Sequence, residues 1–361
     1  MGAPWLNLGQ IFRVNAKKYP DHVAFFDAER RYTFPESNVR INRLAHALLD
    51  MGLKKGDKIS CFLENCIEIC ELYIACAKTG IVINPINFRL VGHEVQYIAD
   101  NADSKAMFVH HEFISVVDHV RKDLPKVEHY VCVGGEAEGY VEYEALLAEY
   151  PHVEPVSDVK PEDTWVILYT SGTTGRPKGV VRSHESYVAF YLINGTDFGF
   201  SERDICLNVM PLCHVNSTFF SFTFTYLGGS IYLYPARGFN PLELLRAIEK
   251  SKATFISLIP THFNLILNGP REETKKYDVS SVRKLLCSSA PGPRELKLGI
   301  MDFFKGVELY EGYGSTEAGI VTVLKPHEQF AKLGSIGKES CGTDEVRILD
   351  ENGDLVPVGE V

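Results

Sequence analysis

Long apolar runs are missing from this sequence. No segment of its 361 residues stays apolar over the roughly 20 positions that a membrane-spanning helix needs, which argues against an integral membrane protein. The start, MGAPWLNLGQIFRVNAKKYP, lacks the basic, apolar and small-residue order of a signal peptide, and Leu6 stands where a myristoylation signal requires Ser or Thr. No Cys-x-x-Cys pair occurs among the nine cysteines. Cys66, Cys70 and Cys76 fall in one helical stretch, ENCIEICELYIACAKTG, where buried free thiols are expected rather than metal ligands. A reduced, cytoplasmic protein is the expectation. Excess positive charge is absent too. The formal net charge of −10 argues against a nucleic-acid groove or an anionic membrane as main partner. Any site for a polyanion must therefore build its own positive potential. Internal repeats and low-complexity tracts are lacking.

What is present is the profile of a globular protein, with 45% hydrophobic and 23% charged residues. The length exceeds the roughly 250–300 residues that one core organises, so at least two lobes are expected. Apolar β-rich runs alternate with helical patterns. DKISCFL, KAMFVH, EHYVCVG, ATFISLI and VRKLLCSSA read as strands; the stretch after DKISCFL, then EFISVVDHVRKDL and PTHFNLILN, read as helices. This alternation predicts an α/β fold with two α/β lobes of largely parallel sheet flanked by helices. The first is placed at about residues 1–195 and the second at about 196–335. The closing EVRILDENGDLVPVGEV, with its ENGD turn, predicts a hairpin that starts a small β module over about 336–361. An apolar strand without a partner is an unusual end, so the chain is expected to be part of something longer.

The chemistry concentrates in LYTSGTTGRPKGVV, residues 168–181. DTWVILYT reads as a strand feeding a loop over 169–179. Gly172, Gly175 and Gly179 allow backbone angles that other residues resist. Successive N–H groups in such a turn form an anion nest. Thr170, Ser171, Thr173 and Thr174 add hydroxyls, and Lys178 adds a mobile charge. The spacing is not that of a Walker A loop, because the lysine precedes Gly179 and no GxxxxGK[ST] order exists. A solvated Ser/Gly-rich loop is the plain alternative; the ordered Gly-x-x-Gly-x-x-Lys-Gly after a strand favours a polyphosphate cradle. A second glycine-rich segment, LYEGYGSTEAG at 309–319, offers the flat face of Tyr313, the Thr316 hydroxyl and the hard carboxylate of Glu317, a donor suited to Mg²⁺.

YTSGTTGRPKG resembles the phosphate-loop signature of the adenylate-forming superfamily, which includes acyl-CoA synthetases, luciferase-type enzymes and peptide-synthetase adenylation domains. The likeness extends over the chain, with YTFPESNVRINRLAHALLDMGLKKGD, INPINFRLVGHEVQYIADNADSKAMFV, PLCHV and YEGYGSTEAG in the order of the family's motifs. The resemblance implies the large N-terminal domain of an acyl-CoA synthetase-like fold. It also implies ATP, Mg²⁺ and coenzyme A as cofactors or co-substrates, and a carboxylic acid as substrate. By resemblance Tyr313 lies on the adenine, Thr316 contacts the α-phosphate, and Glu317 holds the metal with help from Thr173. Glu311, Gly312, Gly314 and Ser315 complete the nucleotide segment. Ser289, Ala290 and Pro291 of CSSAPGP line the adenine pocket, where the family often has glycine and this chain has serine at both 288 and 289. His214 stands beside the substrate carboxylate, in a positioning role, with Val215, Asn216, Phe219 and Gly314 along the acyl path. His184 is expected to cap or orient the helix that follows it.

The reaction implied joins the carboxylate to AMP with loss of pyrophosphate, then passes the acyl group to coenzyme A. The family's ribose-binding aspartate, hinge and catalytic lysine would follow residue 361, on a C-terminal domain that this chain does not include, so weak turnover by the chain alone is expected. Residues 211–222 contain no Asp or Glu, which disfavours an amino-acid substrate. Peptide-synthetase adenylation, a luciferase-like activity and a non-catalytic nucleotide-binding module are the alternatives, and a homodimer is compatible with the sequence.

Overall fold

Runs rich in β-branched and aromatic residues become strands, and the stretches between them supply the crossover helices that parallel pairing requires. The computed structural model describes residues 6–170, 175–235 and 237–360. Its strands form two sheets. The seven-stranded sheet runs, edge to edge, Val141–Glu142, His129–Val133, Ser104–His110, Lys58–Phe62, Val82–Pro85, Thr164–Thr170 and Lys178–Ser183. Every pairing in it is parallel except the last, an antiparallel hairpin. The nine-stranded sheet runs Lys338–Glu339, Gly319–Leu324, Glu308–Ser315, Lys284–Ser288, Phe255–Leu258, Ile205–Asn208, Ser230–Leu233, Val23–Phe26 and Arg31–Thr33. Its centre is parallel and its two edges are antiparallel. This is the mixed α/β architecture that the alternating pattern predicts.

Among the described residues, the two sheets share one of three buried apolar clusters. Helix Ile67–Thr79 is buried along its whole length, and Val215–Leu227 along most of its own. Trp165, on the seven-stranded sheet, is fully buried; its ring stands 5.4 Å from Tyr73 of the first helix and 6.0 Å from Phe222 of the second. The Trp165 indole N–H is satisfied by the Tyr73 carbonyl at 2.9 Å, so a large apolar surface is buried without an orphaned donor. Cys70 and Cys76 are free and buried, and burial pushes both thiols up in pKa. Among the described residues no helix is long and apolar enough to cross a membrane.

Three local expectations differ from the structure. The sheets do not divide the chain near residue 195: Val23–Phe26 pairs in parallel with Ser230–Leu233, where Phe25 becomes fully buried. The helix expected over 112–124 is broken into a 3₁₀ turn at His111–Phe113, a short helix at Ile114–Asp118 and another turn at Arg121–Asp123. Its β-branched Ile114, Val116, Val117 and Val120 are poor at holding a continuous helix. The closing hairpin is reduced to one bridge, Leu349 with Leu355, and leaves Ile348, Leu349, Leu355 and Val358 exposed. A two-stranded ribbon with no packed face has little to hold it.

Candidate functional site

Two hairpin tips, one from each sheet, define the site. In the first, Thr170 pairs with Lys178 and Tyr169 with Gly179. The two strands thus run antiparallel, with Lys178–Ser183 at the sheet edge. Ser171, Gly172, Thr173 and Thr174, which carry much of the expected phosphate cradle, lie outside the described residues. Gly175 has φ +86° and open space around its Cβ position, so its glycine answers a backbone need rather than a steric one. Helix Gly92–Asn101 pins this hairpin. Tyr97 Oη donates to the Pro177 carbonyl at 3.2 Å, and Tyr169 Oη donates to Asn101 Oδ1 at 2.7 Å. Lys178 is exposed, with no carboxylate at ion-pair distance among the described residues.

The second tip joins strand Glu308–Ser315 to strand Gly319–Leu324 through Thr316, Glu317 and Ala318. The register shifts between Tyr313 and Gly314. A Cβ on Gly314 would stand 2.1 Å from the Gly319 carbonyl oxygen. Gly314 is therefore required by the approach of its own partner strand, whereas Gly312 meets only the Leu286 side chain at 3.5 Å. Tyr313 is 52% exposed, which leaves its ring face available to a flat ligand. Ser315 Oγ accepts the Ala318 N–H at 3.0 Å and closes the turn. Thr316 is half-buried and Glu317 is exposed. No group of three or more His, Cys, Asp or Glu side chains that could hold a metal occurs among the described residues. An Mg²⁺ ion here would take one carboxylate from Glu317 and most of its oxygens from a bound phosphate and water, which suits that ion's preference for few protein ligands.

Three cavities meet around this tip. One, of about 270 Å³, is lined by Ser289, Ala290, Pro291, Gly292 and the Glu311–Gly314 strand end. Ser289 adopts φ +68°, a left-handed conformation that a side chain tolerates at a cost of roughly 1 kcal/mol. Glu311 is committed to protein partners: Oε1 accepts the Gly292 N–H at 2.9 Å, and Oε2 lies 2.5 Å from Nζ of the buried Lys297. It supports the shelf of the cavity from below. The second cavity, of about 110 Å³, is walled by Val215, Asn216, Phe219 and Phe220 and shares Ser289, Gly312, Tyr313 and Gly314 with the first. Asn216 donates to Ser288 Oγ and accepts from Ser257 Oγ, both at 3.0 Å, which fixes its amide. The third, of about 470 Å³, reaches from Thr170 and Pro177 to His214, Val215 and Thr316. It shares Val215 with the second.

His214 occupies the residue before helix Val215–Leu227 without making a side-chain cap. Its ring reaches solvent, yet the surrounding protein and the nearby Arg89 guanidinium lower its pKa, so it is neutral at neutral pH. His184 takes a different part from the one its sequence position indicates. Ser183 caps the following helix by accepting the Ser186 N–H at 3.3 Å. His184 is fully buried, and its Nδ1 accepts the Leu8 N–H at 3.2 Å. Burial pushes its pKa down to about 4.

Two functional candidates escape the sequence motifs. Lys297, in helix Arg294–Phe303, is part of no motif, and only the structure shows that its partner is Glu311. Arg182, near the end of strand Lys178–Ser183, is part of no motif; it is buried, and its Nη1 donates to the Glu317 carbonyl at 2.7 Å.

The model of the AMP-binding enzyme family matches residues 12–361. The chain is 32% identical over 346 residues to a long-chain-fatty-acid–CoA ligase of Thermus thermophilus, covering 91% of this chain and 61% of that protein. It is also 32% identical over 356 residues to a feruloyl-CoA synthase of an Amycolatopsis species, covering 96% and 66%. The chain thus spans about two-thirds or less of the length of these curated relatives. Among solved structures, an anthranilate–CoA ligase in complex with anthranoyl-AMP superposes with a TM-score of 0.91 at 26% identity, over 98% of this chain and 68% of that one. The inhibitor-bound N-terminal domain of FACL13 from Mycobacterium tuberculosis superposes with a TM-score of 0.88 at 27% identity, over 97% and 86%. The chain belongs to the AMP-binding enzyme family.

Proposed function

We propose that this chain binds ATP and a carboxylic acid and joins them as an acyl-adenylate, the first half of a carboxylate–CoA ligase reaction whose second half passes the acyl group to coenzyme A. The observation that carries this reading is the shared wall: two cavities open onto the same Gly312–Gly314 strand end, and a third reaches Thr316 of the turn that follows it. The 270 Å³ cavity, with the Tyr313 ring beside it, suits a purine. The 110 Å³ cavity, walled by Phe219 and Phe220, suits the apolar body of an acid. The 470 Å³ cavity meets the second at Val215 and reaches the phosphate-loop hairpin at Thr170 and Pro177.

In the proposed reaction a carboxylate oxygen attacks the α-phosphorus of ATP. A new O–P bond forms as the bond to the β-phosphate bridging oxygen breaks, and pyrophosphate leaves with the electron pair. Protein chemistry here is positioning and charge stabilisation. Lys178 and the backbone of its hairpin attract the pyrophosphate end. The Thr316 hydroxyl lies on the α-phosphate side. Neutral His214 orients the carboxylate, and Glu317 would hold an Mg²⁺ ion that, when bound, would supply charge neutralisation. The absence of acidic residues across 211–222 favours an acid that carries no amine.

The test is direct. The chain is titrated with ATP and Mg²⁺ by calorimetry and then incubated with fatty, aromatic and branched acids, with acyl-AMP followed by mass spectrometry. Saturable ATP binding and an adenylate of at least one acid are expected. Absence of nucleotide binding would remove the reading.

A further inference from the structure

We propose that Arg182 is a positioning residue of the nucleotide site: it ties the Thr316–Ala318 turn, and the Glu317 carboxylate on it, to the phosphate-loop hairpin. The inference rests on the nucleotide-binding reading above.

Arg182 is only 9% exposed, on the hairpin of the seven-stranded sheet, and Nη1 donates to the Glu317 carbonyl at 2.7 Å, on the hairpin of the nine-stranded sheet. Side chains alternate along a strand, so Lys178, Val180 and Arg182 share one face of their strand. The same strand thus carries the loop lysine at one end and the tie to the metal-side turn at the other. The turn is gripped from a second direction as well. Gly319 has φ +82°, and a Cβ there would fall 1.9 Å from Phe190 Cζ, so Phe190 fills the space beneath the turn. The guanidinium carbon of Arg182 lies 4.9 Å from the centroid of that same Phe190 ring and 5.6 Å from Phe219.

Packing alone does not explain an arginine at this position. A guanidinium stays charged in proteins. Burying one without an anionic partner is unfavourable, and an apolar side chain would fit an aromatic cage at lower cost. No carboxylate lies at ion-pair distance among the described residues, and Nε has no hydrogen-bond partner. What the cation has is a carbonyl of the Glu317 turn and the faces of Tyr187, Phe190 and Phe219, none of them an anion, in a protein of net charge −10. A bound polyphosphate supplies the missing negative charge. Arg182 therefore contributes twice: it fixes the turn and adds local positive potential.

The test compares the unsubstituted chain with Arg182→Leu, Arg182→Gln and Arg182→Lys, measuring affinity for Mg²⁺·ATP and for metal-free AMP by calorimetry, and the melting temperature of each ligand-free protein. For Arg182→Leu, Mg²⁺·ATP affinity should fall about tenfold. AMP affinity should fall less, because AMP keeps only the Thr316 side of the turn and lacks the metal and the outer phosphates. The ligand-free protein should melt no lower than the unsubstituted chain. Arg182→Lys, which keeps the charge and one donor, should recover most of the loss. Should Arg182→Leu fail to fold, Arg182→Gln, close in size, carries the same comparison. Equal Mg²⁺·ATP binding by the variants, or parallel loss of ATP and AMP together with a lower melting temperature, would overturn the proposal in favour of simple packing. If the unsubstituted chain itself binds no Mg²⁺·ATP, the failure belongs to the nucleotide-binding reading and takes the Arg182 proposal with it.

Discussion

Lys297 and Glu311 form a buried ion pair, Nζ to Oε2 at 2.5 Å, whose other carboxylate oxygen holds the Gly292 backbone. The pair lies beneath the shelf proposed for the adenine, on the first helix after that shelf and on the strand that leads to the second tip. Removing one partner leaves the other charged and desolvated, which costs about 3–5 kcal/mol. Glu311→Ala should lower unfolding free energy by about that amount and loosen nucleotide binding, whereas Glu311→Gln, which still accepts from Gly292, should lose less. Urea denaturation of the three proteins is the check. A Glu311→Ala change within about 0.5 kcal/mol of the original would show that the pair does not hold the shelf.

The two glycines of the second tip are predicted to differ sharply. Gly314→Ala drives a methyl into the Gly319 carbonyl at 2.1 Å, so the strands must separate. Overpacking of this kind costs about 1–3 kcal/mol. Gly312→Ala meets one side-chain methyl at 3.5 Å and should be nearly neutral for stability. Equal melting temperatures for the two variants would contradict the register of this hairpin.

Acid sensitivity should be traceable to His184. Its folded pKa is pushed down to about 4 by burial, from an ordinary value of 6.5. The unfolded chain therefore binds the proton first as pH falls. The stability that His184 contributes is complete above pH about 6.5 and is lost as pH drops from there toward about 4. Between pH 7.5 and 5.5 this amounts to about 1 kcal/mol. His262, also depressed to about 4 by burial, adds a similar slope. His184→Gln should flatten, without abolishing, the fall in melting temperature over this range. An unchanged slope would mean that His184 is not buried as a neutral ring.

Glu317 and Lys178 should separate metal from phosphate recognition. Glu317 is exposed and makes no ion pair among the described residues, so Glu317→Ala should leave the ligand-free melting temperature unchanged. It should abolish the gain in ATP affinity that Mg²⁺ brings, so that adding a chelator has no further effect. Lys178→Ala should reduce ATP affinity only a few-fold and leave the Mg²⁺ dependence in place. Calorimetry with and without the metal decides. A preserved Mg²⁺ effect in Glu317→Ala would move the metal elsewhere.

The parts legible in the sequence are those whose cause is local. A strand running into a glycine-rich turn is written in adjacent letters, and Thr164–Thr170 and Glu308–Ser315 both lead into such tips. Val215, Asn216 and Phe219, grouped in the sequence by one helix, also share one cavity wall. What could not be read depends on partners far along the chain. His184 meets Leu8 across 176 positions, and Arg182 meets Glu317 across 135. Neither has a periodicity or spacing to announce it. Glu311 stands inside the glycine-rich motif and lines the 270 Å³ cavity, but its ion-pair partner, Lys297, belongs to a helix that no motif marks.

The pairing of Val23–Phe26 with Ser230–Leu233 also has a consequence for how the molecule is made. Ser230 Oγ closes on the Val23 carbonyl over a separation of 207 positions. At ribosomal speeds of about 5–20 residues per second, the opening strand waits roughly 10–40 s for its neighbour to be synthesised. Throughout that interval Phe25 and Phe26 have only the short strand Arg31–Thr33 to pair with. A nascent chain of this design needs shelter for its first strand, and heterologous expression should improve when translation is fast or holding chaperones are abundant.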